Sequence, residues 1–457
     1  MVEIHKFFSN IKAYYKSKPL AFRIAMALVV FLMFFLTSWG RLDPDFGWHL
    51  ITGRYILAHG IPYHDVYTYT ARGYKWVDHE WGNDVIQALI YKAGGYLLSA
   101  LLFAAIWTVG ILVIGWKTRP WLPIIAAFGV QPYAGIRPIA WTFLFLAIVF
   151  KIARSNDRRW RYILPILFLF WANLHAGFVA GLAVLLYFSI MGLDLGLGIV
   201  LLASIAVTFI NPYGYRLYLE IAHTIFDPAI HSQIIEWARF LIPPQTWPYV
   251  VLWAVGFIFY ARNNLRRWIE PGPILFATAL AASRNFPLFI VATQKETSDN
   301  IGKLIPKVPR PNKAAKFVLS LALILAITTL SYSVYTEYYH TNNRLYDYPT
   351  KAVAYLKKNR DVCPGNLFND YTYGGYLIWK LPEYPVFIDG RMVTWTPYMN
   401  MYLRIIEHPQ TYRKTFKLYD INCALLSDKR EYNMINVLEK NKWKPIIVNN
   451  ESTLLIR

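Results

Sequence analysis

Charged residues are scarce in this sequence. They make up 16% of 457 residues, against about 25% in soluble proteins. A soluble fold with so few charges could not cover its surface while hiding an apolar content of 56%. Cysteine is nearly missing, with two in the chain, which excludes a disulfide-rich secreted scaffold. Internal repeats and low-complexity tracts are missing, so solenoids and disorder are set aside. No zinc-ligand spacing is present either.

What is present is apolar and aromatic. Mean hydropathy is +0.30 and aromatics make up 17%, which points to a polytopic membrane protein with one polar appendage. The net charge of +20 does not describe a nucleic-acid surface, because the basic residues form short clusters between apolar runs rather than a stripe. These clusters are Lys6 to Lys18, Lys117 with Arg119, Lys151 to Arg161, Arg262 to Arg267 and Lys295 to Lys316.

Apolar runs begin with Ala21–Gly40 and continue near 86–115, 120–136, 139–152, 162–173, 177–190, 193–210, 247–261, 271–284, 286–296 and 315–334. The sequence thus predicts an all-α polytopic membrane domain of about eleven transmembrane helices over residues 1–334. A small C-terminal α/β extracytoplasmic domain is expected over 335–457, where charge is ordinary and no spanning run occurs. With the N-terminus in the cytoplasm, every basic cluster falls inside, as the positive-inside rule requires. Residues 42–84 then form the first extracytoplasmic loop. Within the outer domain the pattern predicts helices at 352–359 and 434–442 and strands at 385–388, 424–427, 446–449 and 453–456. Cys363 and Cys423 both fall there, as a disulfide or as two thiols.

The chemically capable residues share the outer face. The first loop carries Asp43, Asp45, His49, Asp65, Asp78, His79 and Glu80. Arg137, Asn173, His175, Asn211, Glu236, Trp237 and Arg284 fall at other outer ends. Ionisable groups at membrane depth are functional candidates by default. Asp43-Pro44 also reads as a helix start, with Asp43 as cap, Pro44 as first helical residue and the helix running to His59 before Gly60. Asp45 and His49 share a face of that helix. Arg137 and Arg284 also fit snorkelling anchors, and His175 fits a hydrogen-bonded core residue.

Such a set suits transfer from a phosphate-activated lipid. A carboxylate takes the acceptor proton, and cationic donors stabilise the departing phosphate. On this reading Asp45, with Asp43 second, is the catalytic base. Arg284, Arg137 and His175 bind the donor phosphate, with His49, Glu80 and Glu236 in support. Asp45, Glu80 and Glu236 are the candidate ligands should Mg or Mn take part.

The sequence resembles the GT-C superfamily of integral membrane glycosyltransferases. That superfamily includes protein O-mannosyltransferases, lipid A aminoarabinose transferases and the catalytic subunit of oligosaccharyltransferase. The resemblance lies in Arg41-Leu-Asp-Pro-Asp-Phe-Gly-Trp-His-Leu50, Gly53-Arg-Tyr-Ile-Leu-Ala-His-Gly60 and Trp76-Val-Asp-His-Glu-Trp81. It implies that an Asp of the first-loop motif, here Asp45 or Asp43, is the base or binds a metal. It also implies a polyprenyl-phosphate or polyprenyl-diphosphate sugar donor. Asn369-Asp-Tyr-Thr-Tyr-Gly-Gly375 and Val386-Phe-Ile-Asp-Gly-Arg391 resemble the acceptor-recognising region of oligosaccharyltransferases, which carries acceptor binding onto Asp370 and Asp389. The nearest likeness is to bacterial GT-C-like proteins of unassigned activity.

The expected activity is therefore transfer of a hexose or pentose to a protein, lipid or glycan acceptor outside the plasma membrane. A lipid-linked sugar flippase or transporter, and a polysaccharide polymerase or ligase, are the alternatives.

Overall fold

The computed structural model describes residues 19–227, 235–262, 264–304, 348–449 and 451–457. The basic cluster at Lys6 to Lys18, the apolar run at 315–334 and the domain boundary at 334 lie outside the described residues.

The apolar runs form helices in the expected order. These are α1 (Pro19–Gly40), α2 (Phe46–His59), α3 (Trp81–Gly115), α4 (Leu122–Val130), α5 (Ile139–Ala153), α6 (Leu164–Leu174), α7 (Phe178–Met191) and α8 (Leu195–Thr208). They continue with α9 (Arg216–Phe226), α10 (Trp247–Ala261), α11 (Pro271–Ala281) and α12 (Phe286–Leu304). Among the described residues, α1 and α3 are long and apolar enough to cross a bilayer unaided. Helix α3 bends at Gly94 and Gly95, where Gly95 takes φ +64°, a conformation that side chains with a Cβ avoid.

Helix α1 explains its own burial. Met26, Val30 and Phe34 face the bundle, while Leu20, Ile24, Leu28 and Leu32 form an exposed stripe one turn apart. Water would penalise such a stripe, whereas hydrocarbon solvates it. Helix α12 outlasts its apolar run at 286–296 because its polar half is buried. Thr293, Thr297 and Ser298 turn inward, and Thr293 bonds the Tyr249 hydroxyl on α10. Helix α9 falls in a loop for which no helix is expected. Its Leu217 and Ile221 are buried, whereas Leu219, Ile225 and Phe226 are exposed.

The C-terminal part, expected as the outer domain, follows as α13 (Thr350–Lys358), β1 (Asn366–Asn369), α14 (Gly374–Lys380), α15 (Thr396–Glu407), α16 (Tyr412–Leu418), β2 (Ile421–Leu426), α17 (Tyr432–Lys440), β3 (Lys444–Val448) and β4 (Thr453–Ile456). The sheet order is β1-β2-β4-β3. Strands β1 and β2 are parallel, and the other pairings are antiparallel. Cys363 and Cys423 form a disulfide beside this sheet.

The strand expected at 385–388 does not join the sheet. Val386 pairs instead with the first outer loop: its N–H donates to Tyr67 O, and its carbonyl accepts from Tyr69 N. Its partner strand is supplied by residues that sequence periodicity cannot see. Helix α14 packs on α2, with Trp379 edge-on to Phe46. Loop and outer domain therefore close over the same end of the bundle.

Candidate active site

Eleven of the residues singled out by sequence line one cavity of about 190 Å³: Asp43, Asp45, His49, Asp78, His79, Glu80, Arg137, His175, Glu236, Trp237 and Arg284. Most are held at the ends of elements, and His49 lies in the first turn of α2. Asp43 and Asp45 occupy the turn between α1 and α2, and Glu80 caps α3. Arg137 precedes α5, and His175 ends α6. Glu236 and Arg284 sit in two short 3₁₀ turns joined by the Ser283 N–H to Ala238 carbonyl bond.

The helix start differs from expectation. Asp45, not Asp43, is the capping residue of α2, and Pro44 lies in the preceding turn. Asp43 Oδ1 accepts the Asp45 N–H at 2.9 Å, and its Oδ2 accepts from Arg137 Nε at 3.0 Å. Both oxygens of Asp43 are thus engaged. Asp45 Oδ1 accepts from Trp48 Nε1 at 2.9 Å. Burial, reinforced by the neighbouring Asp43 charge, raises the Asp45 carboxyl to about 7. Such a carboxyl exchanges protons readily near neutrality.

His49 does not face Asp45 as its helical spacing suggests. Its ring turns inward, with Nδ1 2.6 Å from Asp84 Oδ1 and Nε2 3.6 Å from Glu80 Oε2. The buried Asp84 carboxylate is the stronger attractor, and sequence gave no sign of it. Glu80 lies among three histidines, with His79 Nε2 at 3.7 Å and His175 Nε2 at 3.4 Å. Burial raises the Glu80 carboxyl above its usual range.

His175 has an assignable tautomer. The Gly177 N–H donates to its Nδ1 at 2.9 Å. Thr142 Oγ1 accepts from Trp171 Nε1 at 2.8 Å and is 2.7 Å from the same Nδ1. Nδ1 is therefore the acceptor, so the ring proton sits on Nε2, facing Glu80 and the cavity. Burial lowers the His175 pKa well below its usual value. It serves as a neutral donor rather than a cation.

The two arginines part company. Arg137 bridges Asp43 and Glu236, the latter at 2.6 Å, so its charge is matched by two carboxylates. Arg284 lies 4.8 Å over the Trp237 ring. Among the described residues it makes no ion pair, although it lines the same cavity.

Asp370 and Asp389 do not reach the cavity. Both are fully buried. Asp370 is bound by Arg430 and Thr372. Asp389 is held in a two-bond fork with Arg391, whose Nη2 also meets Asp65 at 2.9 Å. The neighbours Gly390, Arg391, Tyr371 and Trp395 line the cavity instead. Their approach to the first loop is tertiary, and sequence spacing carries no signal of it.

The donor set does not fit a metal. Glu236 is committed to Arg137 and Glu80 to the histidines, and no group of three or more His, Cys, Asp or Glu is arranged to hold an ion among the described residues.

A second, apolar cavity of about 450 Å³ adjoins the first. The two share His79, Ile139, His175, Glu220, Thr224, Trp237 and Arg284. Its far walls are Val179, Ala180, Ile221, Ile225 and Leu288.

No protein-family model matches the sequence, and no curated protein is significantly similar to it. Solved structures do match. The oligosaccharyltransferase of Archaeoglobus fulgidus, in its apo form, superposes with a TM-score of 0.53 at 12% identity, covering 90% of this chain and 69% of that one. The fold is GT-C-like. ArnT from Cupriavidus metallidurans, solved with undecaprenyl phosphate, is also similar, with a TM-score of 0.49 at 13% identity over 94% of this chain and 97% of that one. At such identities the GT-C-like likeness is one of fold, so chemistry is argued from the site.

Proposed function

We propose that this chain is an integral membrane glycosyltransferase that moves a sugar from a polyprenyl-phosphate donor to an acceptor outside the cytoplasm. The observation that carries this reading is Arg284. A guanidinium that makes no ion pair among the described residues, with Glu236 and Glu80 acting on it only at longer range, set where a polar cavity meets an apolar groove, suits a lipid-borne phosphate. The polyprenyl chain takes the groove, and the sugar takes the space between Arg284 and Asp45.

In the reaction Asp45 removes the proton from the acceptor hydroxyl or amide. The acceptor atom bonds to the anomeric carbon as the bond from that carbon to the phosphate oxygen breaks. The electron pair leaves with the lipid phosphate, where Arg284 and the His175 Nε2–H stabilise it. Arg137 and Asp43 set the cavity's shape and charge rather than its reactivity. No step is assigned to a metal.

The test is undecaprenyl phosphate binding by the purified chain. Arg284→Ala should weaken it about 10-fold or more, the size of one lost charge-assisted contact, while Asp45→Asn should leave it nearly unchanged. Unaltered binding by folded Arg284→Ala protein refutes the assignment.

A further inference from the structure

The end of the bundle opposite Asp45 holds another cavity, of about 880 Å³. The part of α3 that follows the Gly95 bend is about 30 Å long, the thickness of a bilayer's hydrocarbon core. Lys117, just past its end, therefore lies at the opposite membrane face from the first loop. The cavity sits beside the C-terminal ends of α3 and α5 and the middle of α12.

Its walls and its mouth differ in chemistry. Val109, Leu112, Val113 and Phe150 line it with hydrocarbon, whereas Lys117, Lys151, Arg154 and Lys295 line it with cations. Asp299 is the carboxylate in this lining, and Lys295 holds it at 2.8 Å. Arg154 is engaged by Glu296. Lys117 and Lys151 make no ion pair among the described residues. The positive charge extends into an adjoining depression lined by Arg23, Arg119 and Lys303, which shares Lys117 and Asp299 with the cavity.

Basic residues at a cytoplasmic face need no ligand, since the positive-inside rule places them there. That rule does not account for an apolar concavity beneath them. Hydrocarbon walls under two uncompensated ammonium groups match an amphiphile with an anionic head. Basic pockets between helices at this depth bind the heads of anionic lipids.

We propose that this cavity binds an anionic phospholipid of the inner leaflet. One acyl chain lies against Val109 to Phe150, and the phosphate sits at the Lys117 and Lys151 rim. The site is separate from the glycosyl-transfer cavity and does not depend on its assignment.

Native mass spectrometry of the full chain in detergent tests this, with phosphatidylglycerol and phosphatidylcholine of identical acyl chains as probes. Each Lys near the surface contributes roughly 1 kcal/mol towards an anionic head, so wild type should retain phosphatidylglycerol about 10-fold or more over phosphatidylcholine. The Lys117→Ala/Lys151→Ala double variant should lose that preference. The Lys117→Arg/Lys151→Arg pair should keep it. Both lysines are exposed, so the lipid-free thermal transition should not move. Arg284→Ala, which alters the outer cavity, should keep the preference in full. Equal retention of the two lipids by wild type overturns the proposal, as does a preference that survives the double alanine variant. A preference lost only in Arg284→Ala assigns the phospholipid to the outer cavity and overturns it as well.

Discussion

Gly390 leaves the space that the Asp45 carboxylate fills: a Cβ at residue 390 would lie 1.8 Å from Asp45 Oδ1. The outer domain is thus one wall of the cavity, and its Asp389-Gly390-Arg391 turn sets where the proposed base can stand. Gly390→Ala should displace that carboxylate. A shift of about 1 Å in a reacting group can cost about 10²-fold in turnover. Transfer rates should fall accordingly while undecaprenyl phosphate affinity holds. Normal turnover in this variant would show that Asp45 need not stand there.

Asp45→Asn should reduce turnover about 10² to 10⁴-fold, the usual contribution of a general base. In wild type the rate should rise with pH along a limb near 7, since the base works ionised and burial raises its pKa to about 7. Stability runs the other way. A carboxyl that titrates at 3.8 when unfolded and about 7 when folded favours the fold below pH 3.8 and loses that contribution as pH rises through 7. The melting temperature of Asp45→Asn, relative to wild type, should therefore be higher at pH 8 than at pH 4. An identical difference at both pH values would count against the raised carboxyl.

Arg391→Ala should destabilise the outer domain's seating. Its guanidinium is almost wholly buried between Asp65 and Asp389 and lies over the Tyr67, Trp76 and Trp395 rings. Removing one partner of such a cluster strands two buried carboxylates, at about 3–5 kcal/mol. Denaturant unfolding of the purified chain should register the loss. A change below about 1 kcal/mol would mean that the loop and domain hold together without the pair.

A reporter fused after Arg457 should be active outside the cytoplasm and silent inside. The expectation rests on the basic clusters and on an odd number of crossings. A fusion active only in the cytoplasm would invert the topology and put the proposed site on the wrong face for an extracytoplasmic acceptor.

The helix positions were legible because hydrophobic runs are local. Residues such as Ala21–Gly40 must be helical in hydrocarbon, whatever surrounds them. The gathering of Asp45, Glu80, Arg137, His175, Glu236 and Arg284 was legible for a related reason. Fixed crossings place their helix ends on one face, and a bundle closes those ends together. Hydropathy lost the polar half of α12 and the amphipathic α9, since it reads a buried hydroxyl and a wet one alike.

Partner choice could not be read from the chain. Sequence alone offered Arg137 and Arg284 as equals, ranked Asp45 above Asp43 as the base, and gave His49 as support for Asp45. Tertiary packing gave Arg137 two carboxylates, left Arg284 without an ion pair among the described residues, turned His49 towards Asp84 and set Asp45 against Gly390. Side-chain charge interactions act over a few ångströms between residues far apart in the chain. Which acid remains available to a substrate is therefore a property of the folded cavity, whereas the chain's passage through the membrane follows from its composition.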